Sequence, residues 1–210
     1  MKLILGLLLS LFALFVIVSI AWRFASRRFA LPCPALFAGS FEGSVADFFA
    51  GTEKTLERIR LVPGLTILEV GPGPGRLLIP ASFRILPGGR AIGIDLQPKM
   101  IARLEARARQ AGVANLTAMV GDATQLALPS ESVDLAYLST VLGEIPDRAA
   151  GLAECFRVLK PGGRLSITEI IGDPHYQSRS KVRELCQQAG FVFDEVEGGW
   201  RIFTANFRKP

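Results

Sequence analysis

The chain holds a single histidine, His175, and only three cysteines, Cys33, Cys155 and Cys186, with no CxxC pair among them. A zinc site built from Cys and His needs clustered donors, so none is expected here. An odd number of scattered thiols also fits a reducing compartment better than a disulfide-stapled secreted domain. No internal repeat and no low-complexity tract occurs. Acid is missing from the first 28 residues, where Lys2, Arg23, Arg27 and Arg28 stand alone; of the 24 basic residues these four leave 20 against 19 acidic ones for the rest of the chain. The net charge of +5 and the pI of 9.4 therefore come from one flank rather than from a basic face. That distribution argues against a dedicated nucleic-acid-binding domain and leaves membrane contact as the better explanation.

Charge is missing again from residues 3–22, LILGLLLSLFALFVIVSIAW. At about 1.5 Å per residue a helix of this length matches a hydrocarbon core of roughly 30 Å, which predicts one transmembrane helix within an anchor over residues 1–24, with Trp22 at its boundary. A cleaved signal peptide would carry its charge ahead of a shorter apolar core, whereas the heavier charge here, Arg23, Arg27 and Arg28, follows the run. By the positive-inside rule the remainder lies on the cytoplasmic side, making a single-pass membrane protein with a cytoplasmic catalytic domain. Residues 25–50 form a linker in which Pro32 and Pro34 break any long helix while Phe29, Leu31, Leu36, Phe37, Phe41, Phe48 and Phe49 stay apolar. It reads as a juxtamembrane strap or as a lid over a hydrophobic substrate site, and the two are compatible. Cys33 has no neighbouring base and reads as structural.

Residues 51–210 make up the third segment. With 50% hydrophobic residues and a mean hydropathy of +0.35 over 210 residues, the whole chain suits one domain and a small appendage. After a helix expected near Ser44–Arg60, short β-rich runs alternate with amphipathic ones. TILEV (66–70), RAIGID (90–95), LTAMV (116–120), VDLAYL (133–138) and RLSITEI (164–170) are strand candidates. Between them Met100, Ile101, Leu104, Ala108 and Ala111 fall on one stripe of a helix over Lys99–Ala111. A helix near Ser180–Ala189 stops at Gly190, and FVFDEV (191–196) with WRIFTANF (200–207) predicts an antiparallel hairpin closing a sheet edge. The pattern is that of a doubly wound α/β sheet.

The strongest local signal is EVGPGPG, Glu69 to Gly75, where a strand ends and an apolar helix begins. Glycine permits close backbone approach to a ligand and unusual dihedrals. A dinucleotide fingerprint GxGxxG would need its third glycine at Arg76, and a phosphate loop would need a Lys-Ser or Lys-Thr that is absent. Asp95 ends the second strand, where a carboxylate can hold ribose hydroxyls, and Asp122 follows the third strand at the same sheet edge. Two acids and no phosphate cradle suit a nucleoside better than a nucleotide.

With these motifs in order, LEVGPGPG, GIDLQPKM, GDATQLALPSESVDLAYLSTVLGEIPD and RVLKPGGRLSITE, the chain from Leu56 to Phe207 resembles the class I S-adenosylmethionine-dependent methyltransferases. It is similar to the ubiquinone/menaquinone-biosynthesis group and the small-molecule methyltransferases around it. The resemblance implies a Rossmann-like seven-stranded sheet of order 3-2-1-4-5-7-6 with strand 7 antiparallel, and S-adenosylmethionine as cofactor. It further implies that Gly71, Gly73 and Gly75 pass beneath the methionine part while Glu69 orients the loop and its amine. Asp95 would hold the ribose, Leu96 and Met100 would pack near the adenine, and Asp122 with the Ala123 amide would read the adenine edge. The backbone around Leu138 and Ser139 would line the methionyl end.

Where many relatives have a histidine-rich or aromatic stretch after strand four, this chain has VLGEIPD. A general base is therefore not inherited. The candidates are Glu144, Glu169, Asp173, His175 and Tyr176, with His175 and Glu144 the leading pair. The acceptor expected from an anchored enzyme is small and lipophilic: a quinone precursor, a phospholipid amine or a lipophilic thiol, met at the membrane that residues 3–22 enter. Two other readings stand beside this one. An NAD-dependent oxidoreductase would share Asp95, and a non-catalytic membrane-tethered binding module would share the fold.

Overall fold

Strands rich in Ile, Leu and Val that are covered on both faces read as nearly continuous apolar runs, and the central strands here are of that kind. In the computed structural model, which describes residues 51–210 and a few earlier positions, they form one mixed sheet. The strands are β1 (Thr66–Val70), β2 (Arg90–Asp95), β3 (Leu116–Val120), β4 (Val133–Ser139), β5 (Leu159–Ile170), β6 (Val192–Gly198) and β7 (Ile202–Arg208). Their order is β3-β2-β1-β4-β5-β7-β6. β1 to β5 are mutually parallel, and β7 runs antiparallel to both of its neighbours. This is the order that the resemblance implied.

The helices are α1 (Thr52–Arg58), α2 (Leu78–Arg84), α3 (Pro98–Gln110), α4 (Arg148–Val158) and α5 (Arg179–Gln188). α3 starts with Pro98, whose missing N–H costs nothing in a first turn. It buries Met100, Ile101, Leu104 and Ala108, the stripe that the sequence spacing marked. α4 is capped by Asp147, whose side chain accepts from the Ala150 N–H at 2.9 Å and satisfies one orphan donor. Side-chain alternation sorts the strands between two cores. Ile67, Leu135 and Tyr137 face Leu56, Leu78, Ile101 and Leu104 on one side of the sheet. Leu68, Val70, Ala136 and Leu138 face Leu152, Cys155, Val182 and Cys186 on the other. Burial pushes the thiols of Cys155 and Cys186 upward, the first to about 12, so both act as small apolar groups.

One element differs from expectation in detail. The strand expected over 164–170 starts earlier, at Leu159, and takes in KPGG: Val133 pairs with Leu159 but Leu135 with Arg164, so Pro161 to Gly163 bulge out of the ladder. The hairpin forms as expected, with β7 inserted between β5 and β6 and β6 left at the edge, as in the implied order. Polar pairs are buried along that insertion. Ser166 and Asn206 meet at 2.6 Å, Thr168 and Thr204 at 2.9 Å, and Asn206 Nδ2 donates to the Arg58 carbonyl at 3.1 Å.

Before residue 51 the described positions are Gly6, Ser10, Ala13, Leu14, Ile17, Val18, Ile20 and Ala21, all helical and exposed. Among the described residues no helix is long and apolar enough to cross a membrane. The rest of the expected anchor over 1–24, the linker over 25–50, Cys33 within it and the first part of the helix expected from Ser44 lie outside the described residues.

Candidate active site

A cleft of about 540 Å³ opens at the carboxyl ends of β1, β2 and β4, the edge at which open α/β sheets hold ligands. Its size lies in the ordinary range for a small-molecule site. The floor is the turn after β1. Gly71 has φ +68 and donates its N–H to the Ile94 carbonyl at 2.8 Å; a Cβ there would stand 2.6 Å from Val141 Cγ2. Only glycine lets the turn run this close to the segment after β4. Gly73 faces open cleft and donates its N–H to Asp95 Oδ2 at 3.0 Å.

Asp95 thus braces the loop from the end of β2. It is buried, and Oδ1 accepts from the Gln97 N–H at 2.9 Å, which leaves further lone pairs on both oxygens for a ligand hydroxyl. Burial raises its carboxyl above the usual range while the two backbone N–H groups oppose that rise. Asp122, exposed after β3, folds Oδ1 back on the N–H and hydroxyl of Thr124, both at 2.8 Å, and these bonds hold its carboxyl below the usual range. Leu96, Met100 and Ala123 complete this end of the cleft.

At the other end Glu69 is buried and accepts from the Tyr137 hydroxyl at 3.0 Å. Burial pushes its carboxyl up to about 8, against the pull of the Tyr137 hydrogen bond and of Arg76. Arg76 lines the cleft and donates to Thr52 Oγ1 at 2.9 Å. Ser139 and Thr140 at the end of β4 line the cleft between the two ends. The Ser139 hydroxyl is buried with no protein partner, and Thr140 holds a left-handed backbone at φ +59. A nucleoside carrying an amino-acid tail fits this set. The carboxyl of Asp95 suits its ribose, Glu69 suits an ammonium, and an orphaned hydroxyl sits between them.

The opposite wall holds the ionisable groups suited to an acceptor. Glu144, Asp173 and His175 line the cleft together with Val141, Ile145, Pro146 and Pro174. His175 is buried because its loop is pinned: its N–H donates to Asp173 Oδ1 at 2.7 Å, and its carbonyl accepts from Gln177 Nε2 at 2.7 Å. Gly143 receives that carbonyl so closely that a Cβ would lie 1.9 Å from it. The wall is mainly apolar, with its polar groups gathered at one spot.

Not every residue singled out in the sequence reaches the cleft. Gly75 packs against α3 instead, where a Cβ would lie 2.4 Å from Leu104 Cδ1. The side chain of Leu138 points into the core, since alternation sends that of Ser139 to the cleft, and what Leu138 would offer at the methionyl end is its backbone, the part expected to line it. Glu169 lies behind the wall, 1% exposed, with Oε2 accepting from the Gln177 N–H at 3.0 Å and Oε1 unpartnered. Burial pushes it up to about 8, and Asp173 and Glu144 add to the rise. Tyr176 packs edge-on against Phe203. Sequence reasoning passed over Arg76, although it is the first side chain after the glycine loop. It also passed over Tyr137, which only strand pairing brings to Glu69. Among the described residues no three His, Cys, Asp or Glu side chains are placed to hold a metal ion.

Residues 68–167 match the family described as a methyltransferase domain. Nocamycin O-methyltransferase of Saccharothrix syringae is 32% identical over 138 residues, 65% of this chain and 49% of that protein. Demethylmenaquinone methyltransferase of Lactococcus lactis subsp. lactis is 33% identical over 116 residues, 55% of this chain and 46% of that one. The chain spans about half the length, or less, of the curated relatives it matches. Among solved structures, an S-adenosylmethionine-dependent methyltransferase from Aquifex aeolicus superposes with a TM-score of 0.79 at 22% identity, over 85% of this chain and 100% of that one. The [4+2]-cyclase SpnF superposes with a TM-score of 0.69 at 22% identity, over 79% and 81%. These two likenesses show the fold, and a fold of this kind hosts more than one chemistry.

Proposed function

We propose that this chain, a methyltransferase-domain protein over residues 68–167, transfers the methyl group of S-adenosylmethionine to a small lipophilic acceptor. The observation that carries the reading is the pairing of Glu69 and Asp95 across one glycine turn, each with carboxyl capacity to spare, over a cleft of small-molecule size.

The cofactor, when bound, would supply an electrophilic methyl carbon on a sulfonium: the acceptor lone pair would bond to that carbon as the carbon–sulfur bond breaks in line and S-adenosylhomocysteine leaves with the electron pair. Asp95 holds the ribose hydroxyls, and Asp122 with the Ala123 amide meets the adenine edge. Glu69 faces the amine. Arg76, close enough to lower the Glu69 carboxyl, is suited to the carboxylate of the same amino-acid tail. Ser139 and Thr140 set the methionyl end. Such alignment is the main task of the protein in a displacement of this kind and is worth roughly 7 to 11 kcal/mol. Val141, Ile145, Pro146 and Pro174 keep water from the line of attack. An O–H, S–H or ammonium acceptor must also lose a proton, and His175 or Glu144 takes it from the opposite wall. The apolar wall supports a lipophilic acceptor. The uncharged run over residues 3–22, followed by arginines, supports a membrane-dissolved one, with the chain held as a single-pass protein and its body on the cytoplasmic side.

The test incubates the full chain in nanodiscs with methyl-labelled S-adenosylmethionine and a total lipid extract, with Asp95→Ala as control. Label entering the organic phase, and absent with the variant, is the expected result. Label confined to water-soluble acceptors would overturn the lipophilic acceptor, and failure to bind S-adenosylhomocysteine would overturn the methyltransferase reading.

A further inference from the structure

The described body begins at the rim of its own cleft. A Cβ on Gly51, just ahead of α1, would stand 3.5 Å from Ile202 Cδ1 at the start of β7, and Thr52 accepts from Arg76 of the cleft floor at 2.9 Å. Residues 1–50 therefore join the body at the cleft mouth, so whatever holds them holds the body by that edge.

The next feature along this edge is the turn between β6 and β7. Trp200 at its tip is 73% exposed, more than any other large apolar side chain among the described residues. Ile171, 44% exposed, is tied to the same tip, its N–H donating to the Arg201 carbonyl at 2.9 Å. Arginines surround the pair. Arg201 is exposed, and Arg179 donates to the carbonyls of Gly198 at 3.0 Å and Gly199 at 2.6 Å. The Arg58 guanidinium carbon stands 2.9 Å from where a Cβ on Gly198 would be. Of the acids nearby, Glu197 is engaged by Arg60 at 3.1 Å, and Asp173 accepts from the His175 N–H.

An exposed indole at a tight turn, an isoleucine tied beside it and arginines on the same turn have the make-up of a lipid-interface contact: an amphipathic ring at headgroup depth with cations for anionic lipid. We propose that the tip formed by Trp200, Ile171, Arg179 and Arg201 beds into an anionic lipid surface and turns the cleft mouth towards the bilayer. The occupant is fixed by the chain itself. The uncharged run and its arginines precede Gly51, so the edge at which the chain enters the body is the edge tethered to the membrane, and the exposed indole and arginines on that same edge are what would turn it to face the lipid. The inference rests on the membrane reading given above and adds to it which face is presented. A lipophilic acceptor then passes from bilayer to cleft without crossing water.

The chain has only two tryptophans, Trp22 and Trp200, so each can be made the sole reporter. Full-length Trp22→Phe is reconstituted into vesicles of phosphatidylcholine with about one-fifth phosphatidylglycerol, the phosphatidylcholine brominated along its acyl chains. Trp200 emission is expected to shift to shorter wavelength and to be quenched by the lipid bromines. Adding Arg201→Gln should lower the ratio of docked to undocked protein about fivefold, as should vesicles lacking phosphatidylglycerol for each arginine they leave unpaired. Trp200→Phe reports on Trp22 in parallel. Quenching of Trp22 with Trp200 unquenched at a water-exposed wavelength overturns the docking tip and leaves the membrane reading intact. A blue-shifted Trp200 untouched by bromines means that protein covers the tip, and also overturns it. A chain that does not float with vesicles, with neither indole quenched, overturns both.

Discussion

Tyr137 donates its phenol hydrogen to Oε2 of Glu69 at 3.0 Å, and the two residues are register partners on adjacent strands. Burial pushes Glu69 up to about 8 and Tyr137 well above its usual range, so at neutral pH the pair is a protonated acid beside a protonated phenol. An ammonium placed against Glu69 reverses that balance by favouring the carboxylate, and Tyr137 is already oriented to donate to it.

Cofactor binding should therefore release a proton. At pH 7 the amine of S-adenosylhomocysteine is charged while Glu69 is mostly neutral, so occupation drives the carboxyl proton into solution. Calorimetric titrations in buffers of different ionisation enthalpy should show heats that differ between buffers by an amount approaching one proton, and Glu69→Gln should remove the difference. Identical heats in every buffer would sink the idea.

Stability should fall as the solution is made more alkaline across neutrality. Glu69 and Glu169 both rise from 4.5 to about 8 on folding, so between those values the folded chain binds more protons than the unfolded one. Their contribution is complete below 4.5 and is lost as pH climbs through about 8. Asp122 and Glu154, whose carboxyls are lowered, act in the opposite sense and only in acid, where their protonation removes stability. Urea midpoints measured at about pH 6 and about pH 8 should be higher at the lower pH, and Glu169→Gln should flatten the slope. A midpoint that rises with pH would contradict the burial of both groups.

Replacing Gly143 by alanine should separate binding from turnover. The new methyl would lie 1.9 Å from the His175 carbonyl, so the acceptor wall must shift while Asp95 and the glycine turn keep their places. Displacement of that wall by about 1 Å should cost about 100-fold in kcat, with S-adenosylhomocysteine affinity little changed. Equal losses in both quantities would mean that the segment after β4 belongs to the cofactor's half of the cleft instead.

Of the two groups proposed to take the acceptor proton, one should dominate. His175→Ala or Glu144→Gln should lower kcat by about two to four decades, and the sensitive variant should also lose the acidic limb of the pH–rate profile. If neither variant changes that limb, the acceptor reacts without a protein base.

That Glu69, Gly71, Gly73, Asp95 and Asp122 meet at one cleft was legible in the sequence because it depends on order along the chain. A glycine turn after the first strand, Asp95 after the second and Asp122 after the third are brought to one edge by successive parallel strands and right-handed crossovers. What depends on pairing between distant strands was not legible. Tyr137 reaches Glu69 only because β4 lies beside β1, and Glu169 withdraws behind the wall because its face is decided by β7, where Phe203 opposes it. The close approach of Gly143 to His175 joins segments more than thirty residues apart, and no local pattern announces it.

The place of β7 bears on how the molecule comes into being. β6 is hydrogen-bonded to β7 alone, and β7 is the later of the two in sequence. During vector-wise synthesis the strands that carry Glu69, Asp95 and Asp122 emerge and can pair first, while β6 waits without a partner. Ser166 and Thr168 wait as well, their hydroxyls matched only when Asn206 and Thr204 arrive. A nascent chain of this kind has the glycine turn and its two aspartates gathered before the far side of the sheet is finished, and the last strand inserted works as a keystone whose polar pairs accept one register only.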